Sequence, residues 1–333
     1  MMPLLSVVIP TFRRPVFLKR AIASALTAAP SDLAEVIVIP NGQDDSWKLA
    51  AQIFKDDARV HFHELAVGNA CAARNYGLIK ARGKYVRFLD DDDYFYPAAA
   101  DQVALIELRN ADIVSAPLER VSPEGDALGV FEISSSGDYP VAAFLAIGIS
   151  GLAQGSVFRK SIIHDMKWRE DIVLYDDYVW MLGLAEMGDL EWCQTSGPVG
   201  AYVQHDSARL SRVRRSGGNS RPLVAAISQL HHRLAATGRA TPERTHAAAT
   251  ALLTHAHSAF PSNPLFLSKT IKLARDLDPT ALPMQAIFRS FPWLGNSLLA
   301  TEWMMMAPRY FTRGYRRASW FLKGLSAQPH SNL

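Results

Sequence analysis

Short apolar runs alternate with longer amphipathic stretches through the first third of the chain. The apolar runs predict strands at residues 5–10, 35–40, 59–62, 85–89 and 113–116. The stretches between them predict helices at 16–28, 46–54, 70–81 and 97–109. This repeated strand-helix order indicates a Rossmann-like α/β domain, in which helices cover both faces of a mostly parallel sheet.

The pattern changes twice further along the chain. Turn-forming clusters at 122–126 and 134–138 predict loops, and a short strand at 156–158 and a helix at 176–187 follow. Beyond Pro222 the spacing predicts helices at 223–236, 242–259, 265–277 and 281–290. We therefore expect a catalytic α/β domain over residues 1–217 and a C-terminal helical region over residues 218–333.

Composition and charge narrow the class of protein. The 333 residues are 49% hydrophobic and 20% charged, which is typical of a globular protein. Cys71 and Cys193 form no disulfide or zinc pattern, and this fits a reducing cytoplasm. The N-terminal apolar run lacks a basic flank and stops at Pro10, and no window reaches the ~18 apolar residues of a membrane span. We expect a cytoplasmic protein.

Four adjacent carboxylates, Asp90, Asp91, Asp92 and Asp93, directly follow a predicted strand. Such charges repel one another unless a cation lies among them, and hard oxygen ligands suit Mg²⁺ or Mn²⁺ bound to phosphates. Ligands of open α/β sheets bind outside the carboxyl ends of the strands, where this acidic run falls. A solvated acidic turn or a helix N-cap remains an alternative.

Other polar residues also follow predicted strands or lie near the start of predicted helices. Thr11 and Arg14 follow the first strand, Asn41 and Asp44 follow the second, and Arg74 lies early in a helix before the acidic run. A further pair, Asp176-Asp177, opens a predicted helix. Each group also has a structural explanation, as a polar turn or as acids that favour a helix N-terminus.

Taken in order over residues 4–212, these motifs resemble those of the family 2 glycosyltransferases of the GT-A fold. The resemblance implies a nucleotide-sugar donor, bound by Pro10, Thr11, Arg14, Asn41, Asp44, Arg74, Asp90, Asp91, Gln154 and Gly155. It implies Mn²⁺ or Mg²⁺ held by Asp92, Asp90 and His205. It also implies inversion at the sugar carbon, with Asp177 as the base and Asp176 as its paired acid.

The chain departs from the family at three positions. The carboxylate that commonly contacts uracil is missing, or is replaced by Asn41 or Asp44, so a UDP-sugar is favoured without being fixed as the donor. Asp176 stands where the family has Glu, and Gly183 stands where its helix often carries Arg. Either change could alter how the acceptor is positioned.

The C-terminal tail suggests a partner. No acid follows Glu302, while basic residues alternate with aromatic ones over residues 309–323. This pattern favours peripheral binding at the inner face of the plasma membrane, although packing on the domain or a homodimer contact remains open. Nucleic acid is a poor partner because the basic residues are confined to one tail.

The pattern as a whole predicts a metal-dependent inverting glycosyltransferase. Its acceptor would be a hydroxyl of a glycan or a lipid-linked acceptor, in surface polysaccharide or lipopolysaccharide biosynthesis. A nucleotidyltransferase of similar fold is an alternative, but the loop at 11–14 is not rich in glycine and carries no lysine. A catalytically degenerate sugar-nucleotide-binding or scaffold protein is another, and a glycoside hydrolase is less compatible with the βαβ opening.

Overall fold

The computed structural model describes residues 2–30, 33–147, 153–172, 174–205 and 220–309. The strands are β1 Leu5–Thr11, β2 Ala34–Pro40, β3 Val60–Phe62, β4 Tyr85–Phe88, β5 Tyr94–Phe95, β6 Ile113–Ser115, β7 Leu118–Val121, β8 Ala127–Phe131, β9 Ser156–Arg159, β10 Trp192–Gln194 and β11 Gly200–Val203.

The α-helices are α1 Pro15–Ala25, α2 Lys48–Ile53, α3 Ala70–Lys80, α4 Ala99–Arg109, α5 Tyr139–Leu145, α6 Lys160–Ile163, α7 Asp176–Glu186, α8 Ser220–Ala236, α9 Pro242–Ala259, α10 Pro264–Leu277, α11 Ala286–Ser290, α12 Pro292–Asn296 and α13 Leu298–Met304.

The main sheet has seven strands in the order β10-β6-β9-β4-β1-β2-β3. Strand β1 lies parallel to both β2 and β4, so that Val8 pairs with Ile37 on one side and Phe88 on the other. Only β9 runs antiparallel, between β4 and β6. Strands β1 and β2 are buried along their whole length, which explains why their sequences are apolar runs without alternation. The predicted mostly parallel α/β fold is confirmed.

Sequence reasoning predicted only loops, at 122–126 and 134–138, within residues 117–147, and it missed three elements there. Strands β7 and β8 and helix α5 lie there, and β7 and β8 join β5 and β11 in a second sheet of order β5-β11-β7-β8. Strand β8 has the sequence Ala-Leu-Gly-Val-Phe, a short apolar run that sequence reasoning missed between two turn clusters, and it is almost entirely exposed. The predicted turn at 122–126 is present and joins β7 to β8, with the Ser122 amide donating to the Asp126 carbonyl (2.9 Å).

The last predicted helix is also shorter than expected, because α11 begins at Ala286 rather than at residue 281. The Asp278 carboxylate accepts hydrogen bonds from the amide (2.7 Å) and hydroxyl (2.6 Å) of Thr280. These bonds hold a turn directly before residue 281, where the helix was predicted to begin. Pro283 then disfavours helical geometry at the residue before it.

The C-terminal helices pack on the α/β part. Helix α8 lies against α7 and α9 against α5, and Leu252 of α9 belongs to the same buried cluster as Trp180 of α7. An ion pair between Arg244 and Asp138 (2.8 Å) fastens α9 to the start of α5. The predicted boundary at residue 217 falls within 206–219, outside the described residues, and remains a prediction.

In the described part of the chain, none of the helices has both the length and the apolar composition needed to span a membrane. Of the predicted tail, the structure describes α12, α13 and the residues up to Arg309. Residues 310–333, with most of the basic and aromatic positions, lie outside it.

Candidate active site

The predicted site residues from the first two strands meet at one edge of the main sheet. Thr11 ends β1 and Asn41 follows β2, and the parallel pairing of these strands places both residues at the carboxyl edge. The Asn41 side-chain nitrogen donates to the Thr11 carbonyl (2.9 Å), and both side chains are buried. The acidic run leaves the neighbouring strand β4 at the same edge.

Two of the four acids in the run hold loops in place. The Asp91 carboxylate accepts hydrogen bonds from the Thr11 hydroxyl (2.7 Å) and the Phe12 amide (3.3 Å), and so fixes the loop between β1 and α1. Burial raises the pKa of Asp91 to about 7, although Arg14 opposes this shift. Asp93 is fully buried and accepts the Val203 amide (2.8 Å), which ties the acidic run to β11.

Asp90, Asp92 and Asp93 form a cluster that could hold a divalent cation. Each offers a carboxylate oxygen, and the three oxygens lie within 4.8 Å of one another. An all-oxygen donor set with this charge fits Mg²⁺ or Mn²⁺. The predicted ligands were Asp90, Asp92 and His205. Asp90 and Asp92 belong to this cluster, and the His205 Nε2 atom lies 2.8 Å from the Asp92 Oδ2 atom.

Sequence reasoning missed Asp93 and two residues of α1. The Phe17 ring stacks on His205 with centroids 4.9 Å apart, and Arg20 donates to the Asp92 carbonyl (3.0 Å). These contacts fix the histidine ring and the backbone of the acidic run. Position within the four-acid run was a signal for Asp93, but nothing in the helical pattern distinguishes Phe17 or Arg20 from ordinary cover residues.

Arg14 neutralises part of the acidic run. Its Nη1 atom lies 3.1 Å from the Asp91 Oδ1 atom and also contacts the Asp92 Oδ2 atom. Burial disfavours the charged guanidinium, but the carboxylates of Asp92, Asp91 and Asp90 outweigh it and raise the pKa of Arg14. Arg14 therefore stays charged beside the atom that a cation would need.

A second arginine, Arg74, links the acidic run to the start of α7. Its Nη2 atom contacts Asp90 (2.7 Å), its Nη1 atom contacts Asp176 (2.8 Å), and its guanidinium lies over the Trp168 ring, 4.6 Å from the centroid. Arg74 is also deeply buried. Burial disfavours its charged form, but the carboxylates of Asp90 and Asp176 outweigh this effect and raise the pKa of Arg74.

The predicted catalytic pair opens α7, after Tyr175 in a left-handed conformation (φ 66°). Asp176 forms an ion pair with Arg74 and accepts a hydrogen bond from the Cys71 thiol (3.4 Å). Asp177 accepts a hydrogen bond from the Tyr178 amide (2.7 Å). Burial, helped by the adjacent Asp176 charge, raises the pKa of Asp177 to about 6. A carboxylate tuned in this way suits a general base.

Comparison with known proteins supports the resemblance. Residues 6–140 match the sequence profile described as glycosyl transferase family 2. This part of the chain is similar to glycosyltransferase family 2. The resemblance stated from the ordered motifs is therefore confirmed.

Two curated relatives illustrate the likeness. A Campylobacter jejuni protein named GalNAc(5)-diNAcBac-PP-undecaprenol beta-1,3-glucosyltransferase is 29% identical over 192 residues, which cover 54% of this chain and 59% of the relative. The uncharacterized glycosyltransferase EpsJ of Bacillus subtilis is 36% identical over 94 residues, which cover 28% of this chain and 27% of EpsJ. The chain thus spans less than two thirds of each relative.

A solved structure extends the likeness to most of the fold. The crystal structure of S. aureus TarS in complex with UDP-GlcNAc superposes with a TM-score of 0.67 at 15% sequence identity, covering 92% of this chain and 91% of that chain. At such low identity this comparison shows the fold alone, and it supports the assignment of this chain to the GT-A fold.

The remaining predicted donor contacts lie in varied surroundings. The Asp44 carboxylate accepts the Arg13 amide (2.5 Å) and so shapes the loop after β2. Pro10 is buried within β1. The Gly155 carbonyl accepts the Ala116 amide (2.9 Å), whereas the buried Gln154 side-chain nitrogen has no hydrogen-bond partner among the described residues.

Proposed function

We propose that this chain is an inverting, metal-dependent glycosyltransferase that moves a sugar from a nucleotide-sugar donor to a hydroxyl of a glycan or lipid-linked acceptor. One observation carries the proposal. Arg74 bridges the cation-binding cluster, through Asp90, to the helix start that carries Asp177, so cation ligands and a base with a raised pKa share one site.

The donor would lie across the carboxyl ends of β1 and β2, with its diphosphate toward the acidic run. Asp92, with Asp90 and Asp93, would hold Mn²⁺ or Mg²⁺, and His205 supports Asp92 from the side. A bound divalent cation neutralises the charge that develops on the leaving diphosphate. With that charge neutralised, the protein needs no separate general acid.

Asp177 would then perform the proton transfer. The acceptor hydroxyl oxygen forms a bond to the sugar carbon while the bond from that carbon to the diphosphate breaks, and the hydroxyl proton moves to the Asp177 carboxylate. Attack on the face opposite the diphosphate inverts the sugar carbon. Asp176 is held by Arg74, so it serves to position Asp177 and to keep its pKa raised.

We favour a UDP-sugar as the donor. The Asn41 amide nitrogen is committed to the Thr11 carbonyl, which leaves the Asn41 oxygen as an acceptor at the sheet edge. Uracil presents an N–H donor between two carbonyls, whereas cytosine presents an acceptor at that ring position. The fold neighbour TarS was crystallised with UDP-GlcNAc, which is compatible with this choice.

The C-terminal region supports an acceptor at a membrane surface. Ile287, Phe291, Trp293 and Met304 are large apolar side chains with about half or more of their surface exposed, and the basic, aromatic tail follows them in sequence. Such surfaces suit the headgroup region of an anionic leaflet. The Campylobacter relative is named for an undecaprenol-linked acceptor, so we propose a lipid-linked acceptor at the inner membrane face.

Thermal unfolding with Mn²⁺ and a panel of UDP, GDP, dTDP and CMP compounds tests the donor site, because a ligand of the folded state raises its apparent stability. Selective, Mn²⁺-dependent stabilisation by UDP is expected. Release of UDP from the matching UDP-sugar then separates an enzyme from a non-catalytic scaffold. Binding without any release or transfer, even with undecaprenol-linked acceptors in vesicles, would contradict catalysis.

A further inference from the structure

The Asp92 Oδ2 atom is shared by two nitrogen atoms. Arg14 Nη1 and His205 Nε2 both lie within hydrogen-bonding distance of this one carboxylate oxygen, and the Asp92 side chain is almost wholly buried. A carboxylate oxygen has two lone pairs in its plane. A cation that binds this oxygen therefore competes with a nitrogen already placed there.

Of the two nitrogens, the one on Arg14 is better placed to leave. The His205 ring is stacked on Phe17 and its side chain is 4% exposed, whereas the Arg14 side chain is 22% exposed. The same Arg14 nitrogen also contacts Asp91, so the arginine can lose Asp92 and keep a carboxylate partner. Asp91 is itself fixed by the Thr11 hydroxyl and the Phe12 amide.

Once a cation binds Asp92, the Arg14 guanidinium keeps Asp91 and can turn its other N–H groups toward a second anion. A guanidinium is a preferred partner for phosphate oxygens, because its planar set of N–H groups matches their geometry. Arg14 is also the N-cap residue of α1 and lies on the loop after β1, at the edge where the donor diphosphate is proposed to lie.

We propose that Arg14 is an exchange residue that couples metal binding to donor binding. It occupies Asp92 when no diphosphate is present, and it transfers to the diphosphate of the incoming donor, which releases the Asp92 oxygen to the cation. Donor and cation therefore favour each other's binding through this arginine. This inference rests on the proposed function, because it takes the cation and the nucleotide diphosphate as ligands of the site.

Direct measurement of Mn²⁺ binding by electron paramagnetic resonance tests the exchange without any turnover. The free-ion signal is titrated with wild-type protein and with Arg14→Gln, with and without UDP. Without UDP, we expect Arg14→Gln to bind Mn²⁺ about tenfold more tightly than wild type, because a competing positive charge is gone. The factor by which UDP tightens Mn²⁺ binding should fall by about tenfold in the variant.

Arg13→Gln is the matched control. It removes the same charge one residue earlier, and the Arg13 guanidinium lies over the Phe12 ring and contacts the Gln43 carbonyl. Its Mn²⁺ affinity and its coupling to UDP should stay within about threefold of wild type, since exposed charges are screened by solvent and salt. Arg14→Lys keeps the charge with a single nitrogen, and it should retain weaker Mn²⁺ binding than Arg14→Gln.

The possible outcomes separate the exchange from the proposed function. If wild type binds Mn²⁺ with UDP and Arg14→Gln shows the same affinities and coupling as Arg13→Gln, the exchange is wrong and the metal site stands. If Arg14→Gln and Arg14→Lys both bind Mn²⁺ more weakly than wild type without UDP, Arg14 supports the site and does not compete for it. If neither wild type nor any variant binds Mn²⁺ at any UDP concentration, the proposed metal site and the proposed exchange are both wrong.

Discussion

Arg14 and Arg74 each hold two aspartates of the site, but they do so in different ways. Arg74 uses two separate nitrogens for Asp90 and Asp176, is stacked on an indole ring, and projects from the middle of a helix. Arg14 contacts both of its aspartates, Asp91 and Asp92, through one nitrogen and lies at a helix cap, with 22% of its side chain exposed.

The difference separates a clamp from an exchangeable contact. Every feature of Arg74 limits its movement, and its two partners come from distant parts of the chain, so it joins the acidic run to α7. The Nη1 atom of Arg14 lies between Asp91 and Asp92, so a small movement of this more exposed side chain can break the contact with Asp92 and keep that with Asp91. Two residues of one type, each placed between two acids, therefore serve different purposes according to what surrounds them.

Asp92→Ala should have the largest effect. Removal of the shared carboxylate oxygen takes away the main proposed cation ligand, and we expect sugar transfer to fall by at least about 1000-fold. Mn²⁺-dependent stabilisation by UDP should disappear in the same thermal unfolding experiment. Asp45→Ala removes an exposed acid outside the site and should leave both readouts unchanged.

Asp177→Asn should abolish the proton transfer while keeping the donor site intact. Loss of a general base costs roughly 100- to 10,000-fold, and this loss should appear in kcat. UDP and Mn²⁺ affinities should remain within about threefold of wild type. A variant that transfers sugar at the wild-type rate would exclude Asp177 as the base.

Arg74→Gln and Arg14→Gln should differ in stability. Removing Arg74 leaves Asp90 and Asp176 without the cation they share, and we expect the free energy of unfolding to fall by about 3 kcal/mol. Removing Arg14 should cost only about 1 kcal/mol, because Asp91 keeps its hydrogen bonds from Thr11 and Phe12 and Asp92 keeps its contact with His205. Urea denaturation of both variants measures this difference, and equal losses would contradict the distinction between clamp and exchangeable contact.

The pH dependence of kcat/KM should show a limb near pH 6. The base must be deprotonated, and because burial and Asp176 raise the pKa of Asp177 to about 6, activity should fall about tenfold per pH unit below that value. Asp176→Asn removes the neighbouring charge and should move the limb to lower pH. An unchanged limb in Asp176→Asn would assign it to another group.

Asn41→Ala should have the smallest effect. Loss of one hydrogen bond to the base is expected to weaken UDP binding by about threefold to tenfold. Isothermal titration with UDP and CDP checks this, since CDP binding should change little. A loss of the same size for both nucleotides would mean that Asn41 only holds the Thr11 loop.

Much of the main sheet and the location of the site could be predicted from sequence, because buried parallel strands leave apolar runs and polar residues after them must meet at one edge. The second sheet was missed, because the apolar run of β8 is only five residues long, contains Gly129 and does not indicate which strands pair with it. Sequence reasoning also could not predict that the side chains of the four acids point in different directions. Asp91 turns to the β1 loop and Asp93 to β11 through contacts that depend on tertiary structure.

Anomalous scattering from a crystal grown with UDP and MnCl₂ tests the central claim most directly. The account predicts a manganese peak about 2.2 Å from an Asp92 carboxylate oxygen, at a distance typical of an oxygen ligand. The same ion should contact the diphosphate, with Arg14 turned from Asp92 to a phosphate oxygen. Bound UDP with manganese away from Asp92, or with no manganese peak, would contradict the account.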